Sequence, residues 1–68
     1  FYPFSQAKYL DVVRQSLAAL GAAPSVAESE DVRLEALQFA IQRGGRSGRV
    51  ALQYARSRAG REKLKEAA

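Results

Sequence analysis

Residues 43–49 read Arg-Gly-Gly-Arg-Ser-Gly-Arg. A helix that enters this stretch stops there, because glycine loses the most backbone freedom on ordering and readily turns left-handed. Ser47 then offers an N-cap for a new helix. Upstream, Leu34, Leu37 and Ile41 recur at helical spacing, and Val32, Ala36, Phe39 and Ala40 widen the apolar arc. Downstream, Val50, Ala51, Tyr54 and Ala55 repeat on one side, with Leu52 and Ala59 at its edge. Two helices joined by a glycine turn are therefore expected, and no stretch of the chain alternates like a strand.

A third helix precedes them. Ser5 follows Pro3 as an N-cap, and Leu10, Val13, Leu17 and Leu20 form an apolar stripe bordered by Tyr9, whose hydroxyl is expected to be wet. Gly21 suits a left-handed C′ position, and Pro24 forbids continuation. The next helix starts at Ser25, which has capping-box spacing to Glu28, or at Ser29, which is followed by Glu30 and Asp31. Its wide apolar arc makes it the expected central helix, touching both neighbours. The last helix follows Ser47 and ends at Gly60 or runs on toward Lys65. The expected fold is all-α: one domain over 1–68, a small three-helix bundle, with a short fourth C-terminal helix allowed and a frayed basic tail at 61–68. The chain starts without Met and reads as a piece of a larger protein.

The chain has 68 residues and neither cysteine nor histidine. A domain this short buries only about 60% of its unfolded surface, so helix packing or a partner must stabilise it. Disulfides and thiolate metal sites are excluded, and the commonest general base and zinc ligand are missing. The lack of cysteine fits a cytoplasmic protein. No apolar run approaches the roughly 18 residues that span a bilayer. A membrane-active cationic helix is disfavoured by a mean hydropathy of −0.29 and an alanine-rich back to the basic helix.

Charge is strongly segregated. Residues 1–42 carry three basic and five acidic side chains, net −2. Residues 43–68 carry eight basic and two acidic, net +6. Such a field concerns partners rather than fold, and it points to a polyanion. Arg46 and Arg49 flank a helix start, where acids are normal, so each opposes the helix dipole by about 0.3–1 kcal/mol. A phosphate at that N-terminus would relieve the conflict, since arginine binds it in a fork. Arg49, Gln53, Arg56, Gly60 and Lys63 then follow at i, i+4, i+7, i+11 and i+14, one face with no acid in it. Such a row can track a phosphate backbone, and Arg and Gln can also reach base edges. Arg58, Arg61 and Lys65 lie elsewhere, which makes the tail basic all round.

Ala40, Gly44 and Val50 supply the small residue, turn glycine and buried β-branched residue of a helix-turn-helix, so the stretch from Phe39 to Val50 resembles that DNA-binding motif in outline. Arg43, Gly45 and Gln53 stand where it wants apolar residues. Gly45-Arg46-Ser47-Gly48 is similar to the GXXG loop of KH domains, but that fold needs strands. The Gly-Lys-Ser/Thr end of a P-loop is absent.

Phe1, Tyr2 and Phe4 are expected to close over one end of the core or pack on a neighbouring domain. Asp11, Glu28, Glu30, Asp31 and Glu35 do not make an acid–base pair without an apolar pocket, and four of them read as a dipole-matched helix start. No catalytic residue, metal site or cofactor is expected, and the chain does not read as an enzyme. The leading expectation is a module that binds nucleic acid, DNA ahead of RNA, through Arg43, Arg46, Ser47, Arg49, Gln53, Arg56 and Lys63. The alternative is an interaction or assembly domain that meets an acidic or apolar protein partner, with no membrane involved.

Overall fold

The computed structural model describes residues 5–67, with side chains for 5–64. Four helices follow in order: α1 (Gln6–Ala19), α2 (Pro24–Ala27), α3 (Glu30–Gln42) and α4 (Gly48–Ala67). No strand occurs among the described residues. The domain is a small all-α bundle, as expected. Its extra helix is the single turn α2, before α3 rather than at the C-terminus. The aromatic cluster Phe1, Tyr2 and Phe4 lies outside the described residues.

The helix ends follow local chemistry. Ser5 Oγ accepts from the Lys8 amide at 3.2 Å and opens α1. At the far end Gly21 takes φ 96°, the Gly21 amide donates to the Ala18 carbonyl and the Ala22 amide to the Leu17 carbonyl. That pair of bonds is a Schellman motif, and it satisfies carbonyls that would otherwise be left open. Gly44 repeats it after α3, with φ 89°, Gly44 N–H to Ile41 O and Gly45 N–H to Ala40 O. Pro24 occupies the first position of α2, where its missing N–H costs nothing. Of the two competing caps, Ser29 opens α3: its Oγ accepts from the Val32 amide at 3.1 Å, with Glu30 and Asp31 in the first turn.

The core draws Tyr9, Val13 and Leu17 from α1, Ala27 from α2, Val32, Ala36 and Ala40 from α3, and Ala51, Tyr54 and Ala55 from α4. Five of these ten are alanine or valine on α3 and α4, small side chains that let a neighbouring helix approach closely. The most extensive helix pair is α1 with α4, while α3 touches both. Close approach also explains three corrections. Tyr9 is fully buried, not wet at its hydroxyl, which donates to the Ala36 carbonyl at 2.8 Å across to α3. Burial raises its pKa above the ordinary phenol value. On α3 the buried line is Val32, Ala36 and Ala40, whereas Leu34 and Ile41 are 54% and 72% exposed. A large side chain at 36 would hold the backbone too far away for the Tyr9 bond. Leu20, past the last turn of α1, is likewise exposed.

α4 runs straight through Gly60, which is exposed and has only open space where a Cβ would stand. Glycine inside an exposed helix costs about 1 kcal/mol relative to alanine. Gly60→Ala is therefore expected to stabilise the domain by about 0.5–1 kcal/mol in urea unfolding; a loss of stability would contradict a continuous α4.

Candidate functional site

α4 begins at the glycine turn, and its start fixes where the basic face lies. Ser47 Oγ accepts from the Val50 amide at 3.2 Å, and the Ala51 amide donates to the Ser47 carbonyl. Ala51, Tyr54 and Ala55 turn inward, so the opposite side faces solvent. Arg49, Gln53, Arg56, Gly60 and Lys63 are all exposed on that side. The row from Arg49 to Lys63 is about 21 Å long at 1.5 Å per residue. No acid stands in the first turn of α4.

The other three expected residues are placed differently. Arg43 caps the C-terminus of α3 and holds its guanidinium 4.7 Å above the centre of the Phe39 ring, a cation–π contact at the end of α3. Ser47 serves as the α4 cap. Arg46 lines a hollow of about 340 Å³ with Gln6, Leu37, Ala40, Ile41 and Gly45. The structure thus brings together Arg49, Gln53, Arg56 and Lys63, and sets Arg43 and Arg46 at the turn beside them. Of the helix-turn-helix features, Gly44 is left-handed and Ala40 is buried, while Val50 is only half-buried.

A side-chain cluster not foreseen in the sequence shapes this face. Glu35 Oε1 accepts from the Tyr54 hydroxyl at 2.8 Å, from Arg58 at 3.0 Å and from Arg61 at 2.9 Å. Arg58 also reaches Glu62 at 3.2 Å. Arg58 Nε is buried and has no hydrogen-bond partner among the described residues. Glu35 had been grouped with the acids of the helix start, yet it sits a turn further on and binds α3 to the second half of α4. Tyr54, Arg58 and Arg61 at i, i+4 and i+7 were the available signal. Arg58 and Arg61 are thereby paired, so the described part of the tail is not basic all round: its charge concentrates on the Arg49–Lys63 face.

Desolvation is the largest influence on Glu35 and pushes its carboxyl up. Hydrogen bonds from Tyr54, Arg61 and Arg58, with the nearby Arg61 charge, outweigh it and hold the pKa below the usual value. Burial, then the bond to Glu35, raises the Tyr54 phenol well above its ordinary range. The pH window follows from the Glu35 direction. A depressed carboxylate contributes stability that is complete above its unfolded pKa of about 4.3 and is lost as pH falls through the folded value. Glu35→Gln is expected to flatten the acid limb of the stability profile below about pH 4.3 and to cost about 1–2 kcal/mol at pH 7, the value of a partly exposed charged hydrogen-bond hub. Urea melts between pH 2 and 7 measure both, and an unchanged acid limb would exclude Glu35 as the titrating group.

No helix among the described residues is long and apolar enough to cross a membrane. No curated protein and no solved structure matches the chain. A family described as "Protein of unknown function (DUF815)" matches residues 1–62, nearly the whole chain. The chain belongs to the DUF815 family.

Proposed function

We propose that this domain binds nucleic acid along α4, with DNA ahead of RNA. The observation that carries the reading is the exposed, acid-free row Arg49, Gln53, Arg56 and Lys63. Nearby acids do not cancel it, because Glu35 and Glu62 are engaged with Arg58 and Arg61 on another side. Phosphates meet the charged row, and the α4 N-terminus adds its positive dipole end. Arg43 and Arg46 extend the positive field around the turn, and the Ser47 hydroxyl keeps a proton to donate while it accepts from Val50. Gln53 sits between the arginines, where it can reach a base edge if α4 enters a major groove. The outline of a helix-turn-helix supports DNA, although the turn over 43–47 is longer than the three or four residues of that motif. The reading requires no cofactor and no chemical step, and it goes with the cytoplasmic setting suggested by a chain without cysteine.

Affinity should be dominated by phosphate contacts and fall with salt. Three or four neutralised phosphates give a slope of log K against log[salt] of about −2.7 to −3.6 for a duplex. Arg56→Ala should make that slope shallower by about 0.9. Arg14→Ala, on α1 and paired with Asp11, should leave it unchanged. Fluorescence anisotropy with a short labelled duplex measures these slopes. No binding at about 50 mM salt, or equal slopes for all three proteins, would refute the proposal.

A further inference from the structure

An apolar row on α3 is only partly used by the core: Leu37 is half-buried and packs against it, while Leu34 and Ile41 on either side are exposed. Leu34, Leu37 and Ile41 fall at i, i+3 and i+7, on one side of the helix. Ile41 is 72% exposed and Leu34 54% exposed, and Leu37 and Ile41 form part of the lining of the 340 Å³ hollow beside Arg46. Isolated surface leucines need no explanation, but two exposed large aliphatics flanking half-buried Leu37 on one helix face, with a hollow at its end, do.

We infer that this row pairs with the same row of a second copy, antiparallel, about a two-fold axis near Leu37 and Gln38. The order of charge along α3 selects both the occupant and the direction. Acids stand at its start, Glu30 and Asp31, and Arg46 stands just past its end, lining the same hollow as Leu37 and Ile41, with the apolar row between. An antiparallel pair sets Leu34 against Ile41 of the other copy, twice. It also sets each acidic first turn beside the other copy's basic end, and each helix N-terminus beside the opposite C-terminus, so that dipole and side-chain charge agree. A parallel pair would align like with like at both ends. The Glu30–Arg33 pair within α3 does not oppose this, because exposed pairs are worth little. Three large apolar residues per copy make a small interface, so the dimer is a weak one, with a dissociation constant of roughly 10 μM to 1 mM. The inference goes beyond the nucleic-acid reading and does not depend on it: the row is on α3 and the basic stripe on α4, with Arg46 at the turn common to both.

Sedimentation equilibrium of the 68-residue chain up to about 1 mM should show a monomer–dimer equilibrium in that range. Ile41→Glu should weaken it at least about tenfold, the cost of one buried charge without a partner. Because Ile41 is exposed, the helix signal in circular dichroism should be unchanged. Orientation is read by disulfides, since the chain has no cysteine and each cross-link must join two copies. Mixing Leu34→Cys with Ile41→Cys should give the mixed dimer, while either variant alone gives little. A monomer at every concentration, a dimer indifferent to Ile41→Glu, or efficient self-linking of Leu34→Cys alone would each overturn the inference.

Discussion

Alanine at the points where helices meet sets the distances in this domain. Ala36 and Ala40 on α3, and Ala51 and Ala55 on α4, are almost completely buried. Side chains this small let the helices approach until the Tyr9 hydroxyl can bond the Ala36 carbonyl. That carbonyl has a second lone pair to offer, so the helix is not broken by the contact. Two tyrosines supply the bulk that alanine does not: Tyr9 from α1 and Tyr54 from α4, the latter edge-on to Phe39 with ring centres 5.6 Å apart. Each brings a polar tip into the interior, and each tip is satisfied, one by a backbone carbonyl and the other by Glu35. Close packing leaves Leu34 and Ile41 of α3 on the outside.

The same arrangement sorts the charges. Tyr54 faces inward on α4, so Arg58 and Arg61, one and two turns later, come round to meet α3. There they find Glu35, a carboxylate that accepts three bonds on one oxygen. Among the described residues, the opposite side of α4 is left with Arg49, Arg56 and Lys63 and no acid. A packing choice in the core therefore determines which arginines are structural and which face solvent.

Much of this was legible in the sequence. Gly21 and Gly44 close helices as Schellman motifs, Ser5, Ser29 and Ser47 cap them, and the basic face of α4 follows from its spacing; these are local effects, settled within a few residues. What was not legible required knowing which neighbour lay opposite. Apolar periodicity gave α3 an arc too wide to rank its members: Val32, Ala36 and Ala40 take the buried positions and Leu37 a half-buried one, while Leu34 and Ile41 stay outside because the space is set by Tyr9 and Tyr54. Glu35 looked like one more acid at a helix start, since its partners lie 19 to 26 positions away. Gly60 left two ends open, a stop there or a helix running on toward Lys65; α4 runs on, because a glycine in a long helix held by flanking ion pairs costs too little to end it.

The assignment of α4 as the binding face is tested most directly by an NMR titration. The isotope-labelled chain is mixed with a short mixed-sequence DNA duplex at low and at moderate salt. Amide shifts centred on the α4 face from Arg49 to Lys63 and on the turn, fading as salt rises, are the expected result. No shifts at low salt, or shifts confined to Leu34, Leu37 and Ile41, would contradict it.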